Sequence, residues 1–355
     1  MKNKYRILRI TASIIIVVFI VTISSVLFCG IPRNNCEHTV NSFFNEKENT
    51  LDYVVVGASG TRCDIFPTVI WNDYKITGNT VHISGFKSNM YIYLIRDVLA
   101  NQKESLLIVD LDGFLEGKAT TRDSARLTID TLPYADNAMK DAVNDLDSDY
   151  RMEHFIPIIR YHNNFTDFYK YFSSDLTQLR RNINKETDCM KGAISQKNID
   201  NIEHEYLEQL NVFSTADINY QSCSLDENAK EDLIEVLDYC KSNKIDNVLF
   251  INLPKGYYDE KTKESNSKKI SRAEDCKEII EGYGYDYYNA CDNESGLTND
   301  DFCDTIHLKE QGAIKFSKWL GEYLSTHYDF KDKNQEVIDA WNESSKLCYE
   351  KYGIQ

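Results

Sequence analysis

A long apolar run near the N-terminus constrains this chain more than any other feature of its sequence. Ile10 to Phe28 reads ITASIIIVVFIVTISSVLF and has no charged residue, whereas Met1 to Arg9 has four basic residues and no acidic one. About 20 apolar residues in a helix span the hydrocarbon core of a bilayer, whereas the apolar part of a signal peptide has only about 7–15. A helix buried in a soluble core would normally carry a polar face, which this run lacks. Residues 1–30 are therefore predicted to form a cytoplasmic N-terminus and a transmembrane signal anchor.

The charges around this run predict its orientation. Basic residues flank membrane helices on the cytoplasmic side, so everything after about residue 30 is expected to lie outside the cell. No second apolar run of this length follows, and the chain is therefore expected to be a single-pass protein of the cell membrane. Its 40 basic and 56 acidic residues give a net charge of −16. Because so acidic a surface repels phosphate backbones, nucleic acid is not an expected partner.

The rest of the chain alternates short apolar runs with amphipathic stretches. This alternation is typical of an α/β domain in which helices cover both faces of a doubly wound parallel sheet. The predicted strands are Leu51–Ala58, Asn79–Ser84, Ser105–Asp112, Asn247–Leu253 and Tyr285–Ala290. The predicted helices are Ser88–Asn101, Glu231–Ser242, Ala273–Glu281 and Glu310–Tyr323.

Composition and spacing predict the domain boundaries. Residues 31–50 are polar and are interpreted as a juxtamembrane stem, and residues 51–330 as the α/β domain. The third and fourth strands are separated by more residues than one crossover needs, so about 120–225 is predicted to be a helical insertion. Residues 331–355 are predicted to form a C-terminal helix or tail.

The first candidate for chemistry is Ser59, which follows the first predicted strand in the sequence Gly57-Ala58-Ser59-Gly60. Ligands of doubly wound sheets bind beyond the carboxyl ends of the strands. The glycines suit a tight strand-to-helix turn that exposes the serine hydroxyl and lets backbone N–H groups approach a substrate oxygen. Alone, the motif also fits an ordinary tight turn or a phosphate-binding turn, although it lacks the Walker and GxGxxG patterns.

The second candidate is the segment Asp304-Thr305-Ile306-His307-Leu308, which precedes the last predicted core helix. An aspartate three residues before a histidine can place its carboxylate on the imidazole Nδ1–H. That contact would fix the tautomer and leave the other ring nitrogen for a nucleophile. By itself the DxxH pattern also describes an ordinary surface histidine beside a helix N-terminus.

Taken together, the serine after the first strand and the DxxHL segment before the last core helix resemble the SGNH/GDSL hydrolase family. The similar membrane-anchored members are found with systems that acylate cell-surface polysaccharides, and the D-alanyl-transfer protein of teichoic-acid modification is more distantly similar. The likeness covers most of residues 51–325 outside the insertion and implies a three-layer, flavodoxin-like sheet. Further similar segments are Ile65-Phe66-Pro67, Trp71, Tyr74, GNTVHISGF (78–86), LLIVDLD (106–112), Ile156-Pro157 and Arg160-Tyr161-His162.

The resemblance also implies residue roles. Ser59 would be the nucleophile, His307 the general base and Asp304 the residue that orients it. The backbone N–H groups of Ser59 and Gly85 would form the oxyanion hole. His162, to which the resemblance assigns no role, is a further candidate for contact with substrate, although a capping or core histidine fits that position as well.

Two departures from the family pattern affect the oxyanion hole. The GAS sequence here stands in place of GDS, and no GxND segment supplies the family's asparagine; Asp112-Gly113 lies where that segment is expected. Ten scattered cysteines, with no CxxC pair and no zinc-like spacing, leave the redox state open, and no metal or other cofactor is expected. Cys63 and Cys303 adjoin the two candidate segments and could form a disulfide or be two small residues beside the cleft.

The expected function is that of a membrane-anchored, extracellular serine O-acyltransferase or esterase. It would act on a cell-surface polysaccharide or glycolipid through an acyl-serine intermediate, and the resemblance implies a multi-pass membrane protein as acyl donor. Alternatives are a general carbohydrate esterase or lipase, and a catalytically inactive module that binds glycans or serves as a scaffold.

Overall fold

The computed structural model of the protein describes residues 2–29, 40, 42–117, 121–132, 137–156, 159, 187–196, 206, 208–213 and 223–354. Helix α1 comprises Lys2–Cys29. Its segment Lys4–Ile23 has a mean hydropathy of 2.3, and none of that segment is buried against the rest of the protein. The helix is therefore long and apolar enough either to anchor the chain in a membrane or to serve as a signal sequence.

A parallel sheet forms the centre of the domain and confirms the predicted α/β class. In chain order the strands are β1 (Tyr53–Gly57), β2 (Gly78–His82), β3 (Leu106–Asp110), β4 (Asn211–Val212), β5 (Val248–Asn252), β6 (Gly256–Tyr257) and β7 (Asp286–Asn289). The central sheet has the order β2-β1-β3-β5-β7, with every neighbouring pair parallel, and β4 pairs with β6 in a separate antiparallel ribbon. Counting only the strands of the central sheet, this is the 2-1-3-4-5 order of flavodoxin-like doubly wound sheets.

Helices cover both faces of this sheet. After α1 they are α2 (Ser59–Asp64), α3 (Pro67–Tyr74), α4 (Tyr91–Asn101), α5 (Asp112–Glu116), α6 (Arg122–Thr131), α7 (Asn137–Leu146), α8 (Arg151–Phe155), α9 (Glu227–Ser242), α10 (Glu260–Gly282), α11 (Glu310–His327) and α12 (Gln335–Tyr352). On one face α4, α9 and α10 pack against Val54, Val56 and Val109. On the other face α3 and α11 pack against Val55 and Ile108. Successive residues of a strand point to opposite faces of the sheet, so β1 and β3 are buried by helices on both sides. Strands buried in this way are typically rich in β-branched residues.

Two helices begin earlier than the hydrophobic pattern predicts. Helix α9 begins at Glu227 because the Asp226 carboxylate accepts hydrogen bonds from the N–H groups of the first turn. Helix α10 begins at Glu260, well before the predicted Ala273, because Asp259 and Thr262 form a reciprocal capping box. Polar first turns carry no hydrophobic periodicity, and the caps alone mark these helix starts.

The predicted insertion, about 120–225, is not purely helical in its described parts. It contains α6, α7 and α8 but also strand β4. Residues 187–196 run along the outer edge of β2, where the Thr80 N–H donates to the Lys191 carbonyl at 3.0 Å. Gly192, at a φ of +87°, packs so closely on Thr80 that a Cβ would overlap the Thr80 carbonyl oxygen. This segment therefore covers a strand edge that would otherwise be open.

The start of the domain and the C-terminal helix both pack closely into the core. Val40 and Phe43, within the predicted stem of residues 31–50, are completely buried in the core. At the other end, the Trp341 ring of α12 lies 5.6 Å from the Trp71 ring of α3, centroid to centroid. The Trp71 indole N–H also donates to Asn342 Oδ1 at 3.1 Å. The packed domain thus begins by Val40 and includes the C-terminal helix.

Candidate active site

Ser59 lies at the carboxyl end of β1, next to the point where the strand order reverses between β1 and β3. It is the first residue of α2, and unlike its buried neighbours Ala58 and Gly60 it is partly exposed. Gly57 makes the tight turn possible, since a Cβ there would overlap the side chains of Thr61 and Asp110. The serine hydroxyl is therefore presented at the sheet edge where doubly wound folds bind ligands.

A continuous hydrogen-bond chain joins the three residues singled out from the sequence. His307 Nε2 lies 2.7 Å from Ser59 Oγ, although the two residues are 248 positions apart. His307 Nδ1 lies 2.7 Å from Asp304 Oδ2. Because a carboxylate can only accept, Nδ1 carries the proton and Nε2 is left to accept from the serine hydroxyl. Ser59, His307 and Asp304 therefore have the geometry of a nucleophile, a base and the residue that orients the base.

Two carboxylates hold the loop that carries His307 by accepting hydrogen bonds from its backbone N–H groups. Asp304 Oδ1 accepts from the N–H groups of Ile306 at 2.8 Å and His307 at 2.9 Å. The N–H of Leu308 donates to Asp64 Oδ1 on α2 at 2.8 Å. Since α2 begins with Ser59, this last bond ties the histidine loop directly to the helix that carries the serine.

Two further sequence candidates have different outcomes. Gly85 lies in an exposed turn after β2, at a φ of +70°, and the N–H of Phe86 closes that turn on the Ile83 carbonyl. Gly85 is therefore at the same edge of the sheet as Ser59. His162 lies outside the described residues.

The turn around Ser59 rests on a buried carboxylate that the sequence analysis did not single out. Asp110, the last residue of β3, is completely buried. Its Oδ2 accepts from the Ala58 N–H at 3.1 Å and from the Thr61 hydroxyl at 3.0 Å. Its Oδ1 accepts from the Asp112 N–H at 3.0 Å. Asp110 thus holds the residues on both sides of Ser59.

A buried lysine completes this network. Lys255 follows β5, and its side chain is completely buried. Its ammonium donates to Asp112 Oδ1 at 2.7 Å, to Asn252 Oδ1 at 3.0 Å and to the Leu253 carbonyl at 3.3 Å. A buried charge is costly unless it is paired and hydrogen-bonded, and Lys255 meets both conditions.

The pKa values in this network shift in opposite directions. Burial raises the pKa of Asp110, and the neighbouring Asp112 carboxylate raises it further. Burial also opposes ionisation of Asp112, but the charge and hydrogen bond of Lys255 together with the charge of Lys269 outweigh it and lower the pKa of that carboxyl. The pKa of Lys255 is raised despite burial because Asp112 stabilises its charge. Asp112 and Lys255 therefore form an ion pair, with Asp110 beside it.

Asp64 is a third buried carboxyl at this edge. Burial raises its pKa well above the ordinary value, and the nearby charges of Asp112 and Asp304 act in the same direction. Its Oδ2 has no hydrogen-bond partner among the described residues. The site thus concentrates carboxyl groups on one side of the serine turn, with Lys255 as the buried cation beside them.

Sequence signals for the network exist but are weak. Asp110 and Asp112 end an otherwise apolar strand, and Lys255 follows the apolar run of β5 within three residues. Charged residues in such positions are usually exposed. The sequence therefore offers no reason to pair Asp112 with Lys255, which lies 143 positions further along the chain.

The two cysteines beside the site are free thiols. Cys63 and Cys303 are both buried. Gln196 Nε2 donates to the Cys63 sulfur at 3.2 Å, and the Cys303 thiol donates to the His307 carbonyl at 3.4 Å. They adjoin the two candidate segments as small buried side chains, and burial raises the pKa of Cys63 to about 12.

Comparison with known proteins adds no assignment to this geometry. No family model matches the sequence, and no curated protein matches it either.

Proposed function

We propose that this chain is a serine esterase or O-acyltransferase of the SGNH/GDSL type that forms an acyl intermediate on Ser59. The observation that carries the proposal is the Ser59–His307–Asp304 chain, with both side-chain contacts at 2.7 Å. The side chains of His307 and Asp304 are 16% and 14% exposed, so they are protected from bulk water but open to a substrate. This combination suits acyl transfer by an activated serine.

The reaction would proceed in two steps. Ser59 Oγ attacks the ester carbonyl and passes its proton to His307 Nε2, which then protonates the departing alkoxide. In the second step the histidine removes a proton from water or from a sugar hydroxyl, which attacks the acyl-serine. The bond between the acyl group and Ser59 Oγ then breaks, and the histidine returns the proton to that oxygen. Asp304 keeps the ring oriented and stabilises the imidazolium in both steps.

The backbone would stabilise the oxyanion. The N–H groups of Ser59 and Gly85 are the proposed donors, because both residues lie at the carboxyl edge of neighbouring strands. The position where the family carries an asparagine holds Asp112 instead, and Lys255 neutralises it. The oxyanion hole would therefore rest on backbone donors.

Separate features support the proposed family and the proposed location. The strand order, the serine after β1 and the DxxH segment before α11 support an SGNH-type domain. The apolar helix α1 with its basic flank supports an anchor whose domain faces outward. Tethering raises the effective concentration of the enzyme near its substrate, which favours a cell-surface polysaccharide or glycolipid as acceptor and a multi-pass membrane protein as donor.

Fluorophosphonate labelling tests the central claim. The full-length protein in neutral detergent is expected to form one covalent adduct, and peptide mapping should place it on Ser59. Ser325→Ala, which removes an exposed serine from α11, is the matched control and should label like the wild type. Absence of labelling in the wild type would contradict the enzyme and favour the inactive glycan-binding module.

A second assay separates transfer from hydrolysis. The labelled short-chain acyl group of an activated ester is followed in the presence and absence of a surface oligosaccharide. An acyltransferase should move the acyl group to a sugar hydroxyl, whereas a general carbohydrate esterase or lipase should release the free acid at the same rate in both cases.

Protease treatment of intact cells tests the topology. Residues after 51 should be digested from outside while the basic N-terminus stays protected. Complete protection of the domain would contradict the proposed orientation.

A further inference from the structure

Lys255 takes no part in the triad chemistry, yet it lies within a few hydrogen bonds of the turn that carries Ser59. It donates to Asp112, the Asp112 N–H donates to Asp110, and Asp110 accepts from Ala58 and Thr61. These contacts form one unbroken path from the lysine to the residues on both sides of the serine.

Stability alone is a weak explanation for such a lysine. A buried ion pair is often no more stabilising than apolar residues of the same volume, although breaking it by removing one partner is costly. The lysine does, however, balance charge where two carboxylates lie next to each other. Without Lys255, Asp110 and Asp112 would share a buried site in which no ammonium group of the described residues is hydrogen-bonded to either.

We propose that Lys255 is a positioning residue for acyl transfer: its ammonium, which Asp112 holds in place, keeps Asp110 ionised and so holds the Ser59 turn against His307. This inference rests on the proposed function. An ionised Asp110 accepts all three donors that converge on it, two on Oδ2 and one on Oδ1. A protonated Asp110 has one oxygen occupied by hydrogen and holds the turn less firmly.

The direction of the effect follows from the charges around Asp110. Burial and the Asp112 carboxylate raise its pKa, and Lys255 opposes them. Removing the lysine should therefore raise the pKa of Asp110, and removing the Asp112 charge should lower it. Other titratable or charged groups around this pair are Asp64, Tyr91, Lys269, Cys291 and His307, and none of them is altered in the variants below.

The test is the pH dependence of fluorophosphonate labelling of the full-length protein, measured over about pH 5 to 9. In this reaction Ser59 Oγ bonds to phosphorus, fluoride leaves, and the serine proton passes to His307. Lys255→Met should move the acidic limb of the rate profile to higher pH by about one unit, which is about a tenfold loss of rate on that limb. Asp112→Asn should move it to lower pH, and the double variant should return it close to the wild type.

Asp110→Asn identifies the residue through which the lysine acts. In the Asp110→Asn variant the carboxyl group that is proposed to titrate is absent. Adding Lys255→Met to it should therefore no longer move the acidic limb of the rate profile. A limb that still moves would mean that Lys255 acts on His307 directly and would overturn the proposal.

A matched ion pair outside the charge network controls for simple destabilisation. Lys191 and Glu46 also form a buried pair, at 2.7 Å. Lys191→Met should lower the unfolding temperature but leave the pH profile in place. The proposal is overturned if Lys191→Met moves the limb as Lys255→Met does, or if the Lys255→Met/Asp112→Asn variant keeps the shift.

These outcomes are distinct from a failure of the proposed function. If the wild type does not label at all, the acyl-serine mechanism itself is wrong. If it labels but the Lys255 and Asp112 variants share its profile, the mechanism stands and the positioning role is wrong.

Discussion

The triad and the buried charge network lie on two sides of the same short turn and are built in different ways. Ser59, His307 and Asp304 are partly exposed and come together through two side-chain contacts across the sheet edge. Asp110 and Lys255 are buried and carry charge inside the core. The difference matches the two roles proposed above: the triad would perform the chemistry, and the network would position the serine.

This division predicts that triad variants lose labelling while keeping the fold, and that the Lys255→Met variant changes both the labelling profile and the stability. The largest expected effect is that of Ser59→Ala, which should abolish covalent labelling without lowering the unfolding temperature. His307→Ala should do the same, and the double variant should be hardly worse than either, because the residues act as a unit. Labelling that survives in the Ser59→Ala protein would place the nucleophile elsewhere.

The next largest effect is expected for Asp304→Asn. The asparagine oxygen can keep both backbone donors of the loop, but its amide nitrogen would face His307 Nδ1 and favour the wrong ring tautomer. Labelling should slow by up to about 10⁴-fold, the scale known for this change in serine proteases, with little change in urea stability. A variant of full activity would remove Asp304 from the triad.

Lys255→Met should change stability more than any triad variant. Removing one partner leaves Asp112 buried and unpaired, which typically costs about 3–5 kcal/mol in the free energy of unfolding. Lys255→Met/Asp112→Asn should recover most of that loss, because no uncompensated charge remains. Urea denaturation followed by tryptophan fluorescence measures both, with Lys346→Met on an exposed pair of α12 as the control. Equal losses in the single and double variants would mean that packing, not charge, determines the cost.

The smallest effect is expected for Gly85→Ala. A Cβ there meets open space, but the φ of +70° is strained for alanine and should cost about 1 kcal/mol. If the Gly85 N–H supports the oxyanion, labelling should also slow by about tenfold or more. Gly284→Ala is the matched control, with a φ of +75° and open space around it, and should share only the stability cost. Equal labelling in the two variants would remove Gly85 from the oxyanion hole.

Much of the fold was predictable because its signals are local. The runs that became β1, β3 and β5 are short, buried and largely apolar, whereas β2 and β7 are more polar. For all five strands the predicted ends differ from the observed ones by only one or two positions. The starts of α9 and α10 were less predictable because capping, rather than hydrophobic periodicity, determines them. The burial of Val40 and Phe43 was not predictable from a segment that reads as polar overall.

The candidate site, like the fold, combines local features that the sequence predicts with long-range contacts that it does not. The sequence by itself determined a serine at the end of the first strand and an aspartate three residues before a histidine, since each motif lies within a few residues. Only the tertiary structure brought Ser59 to His307 across 248 positions and Lys255 to Asp112 across 143. The physical reason is that both contacts depend on strand order: parallel strands bring their carboxyl ends to one edge, and no local pattern states which distant residues meet there or which charges will be buried together.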